Sequence, residues 1–451
     1  MRPRLLLVAL LESVQAIKLD VDDPESIKAA AKTVAWDLVD WYSGNETGQS
    51  PGMLPDPYYW WAAGAMFGSL IDYWYYTGDD TYNEITTQGI TFQVGPNRDF
   101  MEPNHTKSLG NDDQAFWALT AMTAAEVNFP NPPEDQPQWL ALAQGVFNTQ
   151  YPRWNTETCG GGLKWQIFAF NNGYSYKNSI TNGCFFNLAA RLGMYTSNTT
   201  YLEWAARAYD WTFNVGLIDN SNFGVYDGSD DTLNCTDYNH IQWSYNVGVY
   251  LLGTAVMWNQ TEGEEQAKWE RHARGLLEAA QRTFFYEDSQ IMFEVACEPS
   301  ANCNVDQTSF KAYLSRWMTA STKVAPWMYE IVMPLMRISA QAAAAQCTGG
   351  ETGTKCGTRW YEGGYDGTYG VGQQMNALEV IQSNLIDEVL GPLGNGTGGT
   401  SVGDINAGGR GYSAGGDNYG GTITTADRAG AGILTALVLA IFVGGGYWMI
   451  R

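Results

Sequence analysis

Two neighbouring carboxylates, Asp112 and Asp113, stand between Asn111 and the apolar run AFWALTAM. Glycosidic cleavage requires a pair of carboxyl groups across the scissile bond, about 5–5.5 Å apart when the reaction retains configuration. Repulsion between two close carboxylates raises one pKa and keeps that group protonated as the acid. The competing reading is a helix cap, with Asn111 or Asp112 at the N-cap and Asp113 near the positive end of the helix dipole. Similar mixtures recur in DPYYWWAAG (56–64), CGGGLKWQ (159–166), YKNSITNG (176–183), FGVYDG (223–228), HIQWSYNVG (240–248), SFKAYLSRW (309–317) and YDGTYGVGQQ (365–374). Each interleaves amides, charged groups and aromatic rings, the blend a sugar needs, because hydroxyls take polar partners and ring C–H faces stack on indole or phenol. By position in these segments, Trp60, Trp61, Trp243, Trp317 and Asp227 are candidate sugar-binding residues. Arg316 is a further candidate that could equally be a structural ion pair. The acidic loop DGSDDTLNCTD (227–237) lacks EF-hand spacing, and the chain has 3 His and no CxxC pair, so neither a metal nor a cofactor is expected.

The elements that must position these residues are helices. Apolar periodicity predicts them near 24–43, 58–77, 80–95, 112–127, 137–154, 178–196, 199–217, 244–260, 264–285, 306–322, 326–344 and 370–390. Asp23-Pro24 reads as the start of the first, and Ser197 with Thr199 and Glu203 as start signals for the seventh. The segments pair: WAAGAMFGSLIDYWYYTGDDTYNEI (61–85) aligns without gaps on ITNGCFFNLAARLGMYTSNTTYLEW (180–204), and YNVGVYLLGTAVMWNQTEGEEQAKW (245–269) with a small insertion. Each copy is a small-residue-rich apolar helix, a polar turn and a charged amphipathic helix. Repeated inner and outer helices stack into a solenoid or close into a ring. The long, variable period predicts the ring, an all-α (α/α)6 toroid with the loops that enter the inner helices on one rim.

A formal charge of −23 excludes nucleic acid as a partner, since phosphates require Lys and Arg. The N-terminus has Arg2 and Arg4, an apolar run Leu5–Leu11 and a small-residue pattern ending at Ala16, so residues 1–16 read as a removed signal peptide. Residues 17–390 read as one catalytic domain, and 391–428 as a Gly/Ser-rich linker with small residues at Gly415-Gly416. An apolar tail, 429–451, follows with little beyond it, the pattern of a GPI-attachment signal; a single-pass anchor is the alternative. The membrane is thus expected as a partner only through the anchor. Six sequons, at Asn45, Asn104, Asn198, Asn234, Asn259 and Asn395, suit a secreted chain. Of 7 cysteines, Cys297 and Cys303 close one short loop and Cys347 and Cys356 another, Cys159 and Cys235 could join two long loops, and Cys184 in an apolar helix is the candidate free thiol.

In this order, NDDQAFWALTAMTAAE, GGGLKWQ, YKNSITNGCFFNLAARLGMY, YNVGVYLLGTAV and GQQMNALEV resemble glycoside hydrolase family 76 over roughly residues 24–390. The resemblance implies an (α/α)6 barrel, with Asp112 as nucleophile and Asp113 as acid/base. It also implies substrate contacts from Asn111, Trp165, Lys177, Asn178, Asn182, Tyr245 and Asn246, which match the family's segments. The GPI-type tail is similar to the fungal branch, which is thought to transfer GPI-anchored glycoproteins to wall glucan by acting on the mannose core of the anchor. The expected donor is then a mannose-containing GPI glycan, with wall glucan or water as acceptor. Alternatives are an endo-α-1,6-mannan hydrolase and, in another class, a non-catalytic wall carbohydrate-binding protein. A terpenoid cyclase is disfavoured because NDDQAF lacks the third carboxylate of a DDxxD metal motif.

Overall fold

Asp23 accepts a hydrogen bond from the backbone of Glu25, and Pro24 takes the first helical position, so α1 (Pro24–Val39) starts where its cap residues dictate. The computed structural model describes residues 17–408 and Thr435. The expected signal segment, the Gly415-Gly416 attachment region and the apolar tail lie outside the described residues. Among the described residues no helix is long and apolar enough to cross a membrane.

Six helices are buried along most of their length: α2 (Trp60–Thr77), α4 (Asn111–Glu126), α6 (Ser179–Thr196), α8 (Ser244–Asn259), α10 (Phe310–Val324) and α12 (Val371–Gln382). Each packs on the next, and α12 packs back on α2, which closes the ring. Outside them lie α1, α3 (Asn83–Phe92), α5 (Trp139–Gln150), α7 (Thr199–Val215), α9 (Gly263–Phe284) and α11 (Tyr329–Gln346). The fold is therefore the predicted (α/α)6 barrel, not an open solenoid. The repeat has a packing cause. Gly64, Gly183 and Gly248 occupy one position in the three copies, and a Cβ there would stand 2.6 Å from Trp117, 2.4 Å from Val249 and 3.1 Å from Trp317 respectively. Each glycine marks where the next inner helix crosses closely, and that contact offsets its weak helix propensity.

Three local expectations are revised. The seventh helix is capped by Asn198, whose side chain accepts from Thr200, while Ser197 ends α6 in a left-handed conformation. Part of the region read as loop forms a small antiparallel sheet on the rim, β1 (Tyr176–Asn178), β2 (Gly228–Asp230) and β3 (Tyr238–Asn239). Its register pairs Lys177 with Ser229 and Asn178 with Gly228. The disulfide Cys159–Cys235 ties the same loops together; Cys297–Cys303 and Cys347–Cys356 close short loops, and Cys184 is a buried free thiol.

The third revision concerns residues 391–408, whose glycine content reads as a free linker. Instead they form a strap on the barrel. Leu393 N–H donates to the Glu126 carbonyl at 2.8 Å, Asn395 N–H to Tyr195 at 2.8 Å, and Asn148 Nδ2 to the carbonyls of Ile405 and Ala407 at 3.0 and 2.9 Å. Ser401 Oγ accepts from Leu140 N–H at 2.9 Å and so caps α5, whose own N-cap residue Gln138 turns its side chain to accept from Val402 N–H of the strap instead. Glycine permits this close approach: a Cβ on Gly403 would stand 2.4 Å from Gln144. A chain ending at Leu390 should be less stable by about 2–4 kcal/mol than one ending at Gly408, from the lost cap and strap hydrogen bonds. Denaturant unfolding of the two truncations measures this, and equal midpoints would refute it.

Candidate active site

The loops entering the inner helices surround an open basin of about 530 Å³ on one end of the barrel. Its floor is the first turn of α4. Gly110 precedes that helix in extended conformation, with φ −91° and ψ 163°, and acts as its N-cap in place of the expected Asn111 or Asp112. Asp113 Oδ2 accepts from Gly110 N–H at 2.6 Å, and Asp112 Oδ1 accepts from Asp113 N–H at 3.1 Å. Both carboxylates thus curl back over Gly110. A Cβ placed there would stand 2.3 Å from Asp112 Oδ1 and 2.9 Å from Asp113 Oδ2, so these oxygens are at most the sum of the two, about 5.2 Å, apart. Capping and chemistry are therefore not alternatives: the capping bond of Asp113 is what aims its carboxyl into the basin.

Burial raises both carboxyls, Asp113 to about 7 and Asp112 well above its usual range; the charge of Asp113 adds to the rise at Asp112, and that of Asp306 to the rise at Asp113. Such a pair titrates as a unit and keeps one proton near neutrality. Hydrogen bonding separates the two. Asp112 accepts from Asp113 N–H and from the Trp165 indole, whereas Asp113 has the single donor Gly110 N–H. The extra donors offset part of the larger rise at Asp112, and the proton that remains near neutrality belongs to the coupled pair as a unit.

The sequence profile of Glycosyl hydrolase family 76 matches residues 26–395. The chain belongs to that family. It is 46% identical over 444 residues to "Mannan endo-1,6-alpha-mannosidase DCW1" of Eremothecium gossypii, covering 98% of this chain and 97% of the relative. "Mannan endo-1,6-alpha-mannosidase DFG5" of Saccharomyces cerevisiae is 42% identical, over 98% of this chain and 96% of its own. The crystal structure of Dfg5 from Chaetomium thermophilum in complex with glucosamine superposes with a TM-score of 0.84 at 46% identity, covering 89% of this chain and 99% of that one. The α-1,6-mannanase of Salegentibacter, at 16% identity and a TM-score of 0.64, shares the fold. As a family 76 member, this chain is a glycoside hydrolase.

The family 76 basin collects part of the expected binding set. Trp60, Trp61, Trp165, Asn178, Asp227 and Tyr245 line it together with the two aspartates. Trp60 is braced by Gln93 and stacks on His105, with ring centroids 5.1 Å apart. Tyr245 stacks on Phe310 at 3.9 Å. Asp227 accepts from Tyr176 Oη at 2.7 Å, from Asn239 and from the Trp243 indole, so it holds the rim sheet as well as facing the cavity. Trp243 acts through that bond and packs edge-on against Phe310; it is not part of the lining.

The other expected contacts lie elsewhere. Lys177 is fully buried, and its Nζ donates to the carbonyls of Asn155, Thr158 and Gly161 at 3.1, 2.8 and 2.6 Å. Burial lowers its pKa to about 8. Asn182 exchanges hydrogen bonds with both backbone groups of Leu163. Asn111 is tied to the Lys164 carbonyl and to Arg153. These three hold the glycine-rich segment from behind and so carry Trp165 to Asp112. Asn246 is fully buried inside the ring, off the basin. Arg316 and Trp317 lie further down α10 and line a separate cavity toward the opposite end of the barrel. One helical turn separates the rim from the interior, and a motif does not show where along a helix the rim ends.

Arg316 is the structural ion pair of the two readings: its Nε lies 2.6 Å from Asp72 and its Nη2 2.5 Å from Glu379. Arg316→Met should therefore cost about 3–5 kcal/mol, by leaving two buried carboxylates without their cation. Chemical denaturation checks this; a loss below about 1 kcal/mol would contradict it. Residues missed as candidates include Tyr59, His105, Gln166, Tyr176, Asp306 and Phe310. Four of these stand inside the mixed segments already noted. Asp306 was read as a helix start, but a 3-10 turn, Gln307–Ser309, delays α10 to Phe310 and leaves Asp306 on the rim.

Proposed function

We propose that this chain is a retaining α-mannosyl glycosidase and transglycosidase that acts on the mannose core of GPI glycans and attaches the carried glycoprotein to wall glucan. The observation that carries the reading is the convergence of Asp112 and Asp113 oxygens within about 5.2 Å above Gly110, on the floor of an aromatic basin. An upper bound of about 5.2 Å is below the roughly 6.5–9.5 Å that an inverting pair needs to place a water between its carboxyls, and so favours a nucleophile and an acid. In the first step Asp113 gives its proton to the glycosidic oxygen and Asp112 attacks the anomeric carbon. The C–O bond breaks and a glycosyl ester forms on Asp112. In the second step ionised Asp113 takes a proton from a sugar hydroxyl or water, whose oxygen displaces Asp112 from the same carbon.

The names of the fungal relatives support mannose as the donor sugar, and the glucosamine bound to the Chaetomium Dfg5 supports a substrate that also carries an amino sugar. The leader-like 1–16, the small residues at Gly415-Gly416 and the tail 429–451 support secretion and GPI anchoring at the outer cell surface. Release of the protein from intact cells by a phosphatidylinositol-specific phospholipase tests the anchor.

Purified protein incubated with a GPI glycan and a glucan oligosaccharide should yield a mannosyl-linked transfer product. Free reducing ends alone, from mannan as from GPI glycan, would favour the endo-α-1,6-mannan hydrolase. The pH profile is a second test. Because the pair must keep one proton for the leaving group and burial raises both carboxyls, kcat/KM should fall about tenfold per pH unit once the pair's last proton is lost on the alkaline side. A flat profile to pH 9 would exclude Asp113 as the acid.

A further inference from the structure

The geometry points to Asp306 as a sugar-binding, specificity-determining residue that accepts two adjacent hydroxyls of a hexose seated against Trp61, Tyr245 and Phe310. The inference rests on the glycosidase reading above and adds a contact that no sequence motif carries. Its basis is a comparison of the four carboxylates that line the basin. Asp112 and Asp113 are held by the α4 turn and Trp165. Asp227 is filled by three donors, Tyr176, Asn239 and Trp243. Asp306 has one side-chain donor, the Trp61 indole, and no cation among the described residues pairs with it.

A carboxylate offers about four acceptor positions, and those the protein leaves unfilled in an open basin are available to the hydroxyls of a ligand. Asp306 is partly buried, with its pKa raised to about 6 by burial, so at neutral pH it stands in the basin ionised and under-supplied. Its surroundings are apolar rings. Trp61 packs on Phe116 at 4.8 Å, and Tyr245 and Phe310 are stacked in parallel, interplanar angle 9°. Rings of this kind suit the C–H face of a sugar, while a carboxylate at their edge suits its hydroxyls. Asp306 lines the same cavity as Asp112 and Asp113, and its charge is felt at Asp113. A hexose in contact with Asp306 is therefore next to the scissile bond.

The test uses the inert Asp112→Asn/Asp113→Asn protein and calorimetric titration with α-1,6-mannotriose and, separately, a glucan oligosaccharide. Adding Asp306→Asn should weaken binding of one of the two ligands about tenfold to a hundredfold, and Asp306→Glu should restore part of it. In the active protein the same change should raise KM far more than it lowers kcat, with the thermal midpoint unchanged. Unaltered affinity for both ligands would overturn the assignment and leave the glycosidase reading intact. Failure of the parent to bind either ligand would overturn the glycosidase reading, and this inference with it. If Asp306→Asn does not fold, Asp306→Glu alone decides: affinity equal to the parent for both ligands overturns the inference, and a several-fold loss for one supports it.

Discussion

Asp112→Asn and Asp113→Asn should each lower cleavage of an unactivated α-mannoside about ten-thousandfold, with the fold retained. Either change removes a charge from a pair whose ionisation is opposed by burial, so neither should reduce the thermal midpoint. The roles separate with an aryl mannoside whose leaving group needs no proton. Asp113→Asn should still form the glycosyl ester with that substrate, seen as a burst of phenolate and as a mannosyl adduct on Asp112 by mass spectrometry. Asp112→Asn should give neither burst nor adduct. Full activity in either variant would remove the carboxylate mechanism, and an adduct on Asp113 would exchange the two roles.

Gly110→Ala should reduce kcat about a hundredfold or more while leaving stability near that of the parent. The backbone at Gly110 is extended, a conformation any residue adopts, so alanine introduces no strain there. What it introduces is a methyl group 2.3 Å from one catalytic oxygen and 2.9 Å from the other, with the Trp165 carbonyl at 3.3 Å on its remaining side. Aspartate is too short to bend away without rotating its carboxyl out of line, and a displacement near 1 Å is enough to cost that much rate. Stability is spared because alanine restricts the unfolded chain, a gain of about 0.4–1 kcal/mol that offsets the crowding. Activity within threefold of the parent would mean that the carboxylates are not held over Gly110. Read with the aspartate variants, this substitution distinguishes loss of the carboxylates from loss of their alignment.

Much of this architecture is legible before any coordinates. Gly64, Gly183 and Gly248 announce the repeat because each inner helix meets its neighbour through the same close contact, and a contact made three times leaves a periodic trace. Asp112 and Asp113 stand out because they open an inner helix between Asn111 and an apolar run, whereas Asp22-Asp23 and Glu264-Glu265 open outer ones. Two disulfides close the short loops that cysteine spacing offered, the third joins Cys159 to Cys235 across two long loops, a pairing the sequence left open, and Cys184 is left over in its helix. The motif containing Lys177 and Asn182 was located correctly, yet those side chains face backward. Burial of a lysine against three carbonyls depends on a loop about 20 residues away in the chain, and no local pattern encodes that partner. The strap at 391–408 was misjudged for a related reason: composition reports glycine's freedom, whereas docking depends on the helix faces it meets.

The sequence by itself determined the helical repeat and the closed ring, and singled out Asp112 and Asp113 as the candidate reacting pair, since each is written in short-range spacing or residue chemistry. Tertiary structure alone decided that Gly110 lies beneath both carboxylates, that Arg316 belongs to the interior, and that Asp306 stands in the basin with a single donor. The first depends on the bridge that holds extended Gly110 against Gln166, and the other two on distances between segments far apart in the chain; only the closure of the barrel sets them.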